Sequence, residues 1–256
     1  MVKIKLKAAD VCVVLMGIIG LILYVVMLHS DEGFVKCLTR EDGPIENITA
    51  FFYFTASVIC FIRIATSSQK IKWLLYFWGI FSFICFGEEI SWGQRIFSYS
   101  IESIQHANLQ NEINIHNLTV FNAGTGLIKA LQSNNFGDIK INLIGFLSAD
   151  KLFFMGYIVY FLIIPLTVGF YKIEYFKEKY SFNPPNYVFL ITIWAMVLLY
   201  YVTAYIVHSN AFLEVYEMFM AYGILIYVLF YLKFTPEHCF ADSVVPKKKR
   251  PARKPL

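Results

Sequence analysis

Apolar residues run along this chain in long unbroken blocks, without the alternation that marks a half-buried strand. The first block is "AADVCVVLMGIIGLILYVVML", Ala8 to Leu28. Further blocks cover roughly 48–65, 73–92, 152–171, 187–207 and 215–232. Each is near the ~20 residues that carry a helix across a bilayer. A barrel strand would alternate apolar with polar residues instead. The pattern therefore predicts an all-α, polytopic membrane helical bundle of about six transmembrane helices. The first block is read as a retained span, since it exceeds the short apolar core of a secretory signal.

Composition agrees with the pattern. Of 256 residues, 58% are hydrophobic and 16% charged, and the mean hydropathy is +0.58. An ordinary soluble domain carries about 25% charge. The five cysteines are scattered and form no CxxC, so neither a disulfide framework nor a thiolate metal site is expected.

Charge sets the expected orientation. With six spans, one side holds Lys3, Lys5, Lys7, Arg63, Lys70, Lys72, Lys172, Lys177 and Lys179. It also holds the basic residues of the tail, so most of the 22 Lys and Arg share that side. Lys and Arg favour the cytoplasm, which predicts both termini inside. Residues 1–240 then form one transmembrane domain at the cell membrane, and 241–256 a basic cytoplasmic tail. The tail's "PKKKRPARK" has the look of a nucleic-acid patch, but in a membrane protein contact with anionic lipid is the simpler reading. Nucleic acid is not an expected partner. The long segment 93–151 falls outside and is mildly amphipathic, which predicts helices in the membrane interface and a docking surface for a protein partner.

The same orientation gathers the candidate chemistry on the outer face. In "FGEEISWGQRIF" (Phe86 to Phe97), two carboxylates follow an uncharged run. Read as one continuous helix, Glu88, Ser91, Trp92 and Arg95 share a face, and Glu89 points elsewhere. Ionisable groups in a span cost about 2.5–3.5 kcal/mol, so they face protein or water. Glu88 and Glu89 are therefore candidate catalytic groups. Arg95, Trp92 and Gln94 are candidate substrate contacts, with Arg95 able to pair with Glu88 or draw in a phosphate. Against this stands the plain reading of a solvated helix end with Trp92 in an aromatic belt. Ser91 is a weaker candidate nucleophile, because it lacks a Gly-x-Ser-x-Gly elbow.

Two other stretches reach the same level. In "HANLQNEINIHN", a helical reading makes Glu112 and His116 an i,i+4 pair. His106, Glu112 and His116 form a speculative set for a divalent metal such as zinc. Asn114 joins the substrate contacts, and His116 the catalytic set. The plain reading is an Asn-rich series of caps and turns. In "VHSNAFLEVYEMF", His208 ends the fifth span, Asn210 is an expected N-cap, and Glu217 lies deeper than Glu214. His208 and Glu217 complete the catalytic candidates.

The strings "GEEISWGQR" and "NEINIHN" resemble a signature of uncharacterised bacterial multi-span membrane proteins, over residues 86–118. The resemblance carries no activity. The chain is also distantly similar to alkaline ceramidase and adiponectin-receptor-like membrane hydrolases, which combine buried Glu, Ser and His with zinc. It departs from them in lacking seven spans and paired histidines on a late helix. Three functions follow as expectations. The first is a metal-assisted hydrolase or transferase acting on a lipid or lipid-linked substrate. The second is a non-catalytic subunit or sensor of a larger complex. The third, a transporter or ion pathway, ranks last, because it needs polar groups reaching the midplane, spans one, two and four have almost none, and no inverted repeat is visible.

Overall fold

The computed structural model describes residues 8–40, 42–66, 73–108, 112–114, 118, 149–171, 184–207 and 210–232. Among them every regular element is helical, apart from one isolated antiparallel bridge between Asn108 and Leu118. Helix α1 is Ala8–His29, α2 Glu32–Thr39, α3 Pro44–Thr66 and α4 Trp73–Glu89. Short helices α5 (Gln94–Phe97) and α6 (Glu102–His106) follow. Helix α7 covers 149–171 and α8 is Tyr187–Val207. Helix α9, Leu213–Tyr231, closes the bundle.

Among the described residues, five helical stretches are long and apolar enough to cross a membrane. They match the expected first, second, fourth, fifth and sixth spans. The third, α4, differs. It has 17 residues, or about 25 Å at 1.5 Å per residue, short of the ~30 Å hydrocarbon core. Its helix stops at Glu89, three residues before the expected end. The protein is thus a multi-pass membrane helical protein in which five helices have full membrane length.

The bundle is built around α9. In its membrane-length stretch 67% of residues are buried, against 22–33% in the other four. Helix α3 packs on α4 and α9, and α1 on α8 and α9. The outward faces keep large apolar side chains exposed, including Leu15, Ile19, Ile22, Phe51, Ile62, Ile191 and Leu198. In water such a belt would be an aggregation surface; in a bilayer it is the lipid contact.

Small residues set the helix spacing. A Cβ built on Gly20 of α1 would sit 1.8 Å from Phe219 Cζ of α9 and 2.8 Å from Met196 Cε of α8. Phe219 and Met196 are themselves buried. Gly20→Ala is expected to cost about 1–3 kcal/mol by overpacking, read as a lower melting temperature in detergent. An unchanged melt would show that Phe219 swings aside freely.

The two ends of the bundle differ chemically. At one end, the Arg63 guanidinium donates to the carbonyls of Val228 (2.5 Å), Leu232 (3.1 Å) and Leu229 (3.0 Å). These are carbonyls that a helix C-terminus leaves without intrahelical donors. Nearby, Asn186 caps α8 by accepting from Phe189 N–H at 3.0 Å, and its amide donates to buried Asp10 at 2.5 Å. The opposite end carries Glu46, Glu89 and Glu214, beside the contact of Tyr24 Oη with the Phe212 carbonyl at 3.4 Å.

Candidate functional site

Helix α4 ends because the backbone turns left-handed three times in a row. Ser91, Trp92 and Gly93 have φ of 47°, 53° and 79°. Only Gly93 adopts this region at no steric cost. The continuous helix expected through "GEEISWGQR" is therefore broken, and the shared face of Glu88, Ser91, Trp92 and Arg95 does not form. The turn is held by specific bonds instead. Trp92 Nε1 donates to Glu88 Oε1 at 2.6 Å, Gly93 N–H to the Ile90 carbonyl at 2.8 Å, and Tyr99 Oη to the Trp92 carbonyl at 2.7 Å. Trp92 also packs over Gly87, where a Cβ would meet its ring at 2.8 Å.

Turning at Ser91 aims its hydroxyl inward, onto the string "NEINIHN". Ser91 Oγ donates to Glu112 Oε2 at 2.7 Å, and Asn114 Nδ2 donates to the same oxygen at 2.5 Å. Asn108 Nδ2 donates to Asn114 Oδ1 at 2.7 Å and to its carbonyl at 2.9 Å. Gln94 Oε1 accepts the Ile113 N–H at 2.8 Å. Ser91, Asn108, Glu112 and Asn114 are all buried, at 1–6% exposure. Residues 112–114 are not helical, and His116, the other member of the expected i,i+4 pair, lies outside the described residues. Gln94, Asn114 and Glu112, read from sequence as substrate or metal contacts, here fasten the loop to the end of α4. Ser91 belongs with them: its hydroxyl is 2% exposed, closed to a substrate.

This network is a stability element with a clear test. Glu112→Ala strands two buried donors, at about 1–3 kcal/mol each. A total loss of about 2–4 kcal/mol is expected in a thermal melt, while Glu112→Gln keeps an acceptor oxygen and loses less. Equal melts for the two variants would contradict the role.

Glu89 stands apart from this network. It lines a cavity of ≈ 80 Å³ together with Asp42, Glu46, Asn47, Ala50, Ile90 and Ile96. The floor is the start of α3. There Glu46 accepts from the Asp42 N–H, and Asn47 Nδ2 donates to the carbonyls of Asp42 and Gly43 at 2.9 Å each. Glu217 and Glu214 of α9, Glu46 of α3 and Glu88 of α4 all lie within electrostatic reach of Glu89. Glu217 is half-buried. Carboxylates from three helices thus lie within electrostatic reach of one another. Glu46 was not singled out from sequence, because it reads as an ordinary acid in a first helical turn.

The remaining candidates divide plainly. His106 is exposed at the end of α6. His116, His208 and the side chain of Arg95 lie outside the described residues. Asn210 opens a short 3-10 turn, Asn210–Phe212, and α9 begins without a side-chain cap from its flanking residue Phe212. Among the described residues no group of three or more His, Cys, Asp and Glu side chains is arranged to hold a metal. Of the expected metal set, His106 is exposed and Glu112 is buried.

Comparison with protein-family models, curated proteins and solved structures finds no match.

Proposed function

We propose that this protein is a membrane-embedded hydrolase or transferase acting on a lipid or lipid-linked substrate at the outer membrane face, with Glu89 as its acid–base group. One observation carries the reading: of the two adjacent glutamates, Glu88 is bound to Trp92 and Glu89 lines the cavity. The cavity is amphipathic. Carboxylates of Asp42, Glu46 and Glu89 form one part of its wall, and Ala50, Ile90 and Ile96 another. Ile96 is also 68% exposed and Phe97 75%, so apolar side chains lead from the lipid belt to the cavity mouth. A head group can meet carboxylates there while its chain stays in apolar surroundings. Glu89 would take a proton from the attacking water or hydroxyl and return it to the leaving group. The two strings meet in the fold, where Ser91 and Gln94 of the first hold Glu112 and Ile113 of the second.

The outer location rests on the excess of Lys and Arg at the other end. The experiment compares lipid extracts of cells lacking the protein with cells restored by the wild-type chain, Glu89→Gln or His116→Ala at equal membrane levels. The expected result is a lipid species that accumulates without the protein and persists in Glu89→Gln. A Glu89→Gln chain that restores the wild-type lipid profile would overturn the reading.

A further inference from the structure

The bundle interior contains a second polar feature, distinct from the cavity at its end. Both π-helical turns of the described chain face it. Val159–Ile163 interrupts α7, and Tyr227–Tyr231 ends α9. A π turn leaves backbone groups out of the ordinary helical ladder and is frequent at functional positions. Here each turn presents a tyrosine to the other: Tyr160 Oη and Tyr227 Oη are 2.7 Å apart, and Trp78 Nε1 donates to Tyr160 Oη at 3.2 Å. Trp194 Nε1 donates to the Phe161 carbonyl in the first turn at 3.2 Å. The turns are thus braced by two tryptophans from different helices.

Hydroxyls continue from this pair in both directions. Towards the carboxylate end, Tyr157 reaches α9 at Gly223, whose missing Cβ would sit 2.5 Å from Tyr157 Oη. The Tyr157 hydroxyl and that of Ser82 on α4 are buried and have no hydrogen-bond partner among the described residues. An unpaired buried hydroxyl is where an internal water bonds. Tyr53, 3% exposed, lies within electrostatic reach of Tyr157, Glu89 and Glu217. Towards the Arg63 end, Tyr231 stacks on Tyr227, with ring centroids 6.1 Å apart and planes within 5°. Its own hydroxyl is also buried with no hydrogen-bond partner among the described residues, and the Asn186 backbone and the Asp10 carboxylate lie within its electrostatic reach. Carboxylates therefore stand at both ends of a column of hydroxyls supplied by α3, α4, α7 and α9.

We propose that this column conducts protons through the bundle between the Glu89–Glu217 end and Asp10. A tyrosine hydroxyl both donates and accepts, so each can pass a proton on one side and take one up on the other. The carboxylates exchange protons with the aqueous phases. One proton enters for each released, and no electrons move. Intramembrane acidic groups commonly serve such relays. The column consists mostly of phenols that lie within apolar blocks.

The test uses the purified full chain in phosphatidylcholine–phosphatidylglycerol vesicles holding a fluorescent pH indicator. A potassium gradient with valinomycin imposes the potential. Protein vesicles should acidify at least about tenfold faster than empty ones, and Tyr227→Phe and Asp10→Asn should each remove at least about nine-tenths of the excess. Tyr76→Phe, on the lipid-facing surface at 48% exposure, should leave the rate unchanged. Size-exclusion profiles and circular dichroism verify the fold, and Tyr160→Phe replaces Tyr227→Phe if that variant does not assemble. A wild-type rate equal to that of empty vesicles overturns the proposal. So does a full rate in the folded Tyr→Phe variants.

Discussion

Glu89→Gln is expected to lower turnover on the order of 10²–10⁴-fold, the usual contribution of a positioned acid–base group. Glu88→Gln, one residue away, is expected to change it less than about tenfold. The asymmetry comes from what each carboxylate touches. Glu88 Oε1 accepts from Trp92 Nε1 at 2.6 Å, and a glutamine oxygen can accept in the same place. Glu89 faces the cavity and the neighbouring carboxylates of α3 and α9, where an amide can neither take up nor release a proton. The two variants have the same size and charge change at adjacent positions, so each controls for disturbance by the other. Conversion of the accumulating lipid in isolated membranes is the measurement. Equal losses in both variants would remove the assignment of Glu89 as the proton-transfer group.

Arg63→Met is expected to cost about 2–4 kcal/mol of stability. The guanidinium serves three carbonyls at the end of α9, between 2.5 and 3.1 Å. Removing it strands them where neighbouring apolar side chains limit access to water, and withdraws a cation from the negative end of the helix dipole. Arg63→Lys is expected to recover only part of the loss, because a compact ammonium cannot fork across three acceptors. Thermal unfolding in detergent, followed by circular dichroism, measures both. An Arg63→Met protein that melts with the wild type would show that the carbonyls find other donors. From sequence alone Arg63 counts only as one of the cations that favour the cytoplasmic side. Its place on the α9 carbonyls depends on α3 and α9 lying side by side.

Much of the candidate site was visible as residue types and little of it as geometry. The doubled glutamate stood out because charge directly after an uncharged run is costly in a membrane. Which of the two is paired depends on Ser91 and Trp92 adopting positive φ, a conformation that neither residue type favours. Gly93 was the one local signal for it. Glu112 drew notice as a metal ligand, but its partners Ser91 and Asn114 follow from a loop folding back over 21 positions. The interior tyrosines each lie within an apolar block, and nothing local in the sequence marks them out. Their hydroxyl contacts form between helices distant in sequence, such as Tyr160 with Tyr227.

The amino-acid sequence by itself determined that this is a multi-pass helical membrane protein, and approximately where five of its long helices run. Length and hydropathy are additive along the chain, and a bilayer selects on them directly. The tertiary structure alone decided which glutamate meets the cavity, what Arg63 caps and which tyrosines touch. Those outcomes depend on the rotation of each helix about its axis, on a three-residue left-handed turn and on two π turns. None of these is a sum over residue types. Each is set by what the neighbouring helix offers at that height and angle.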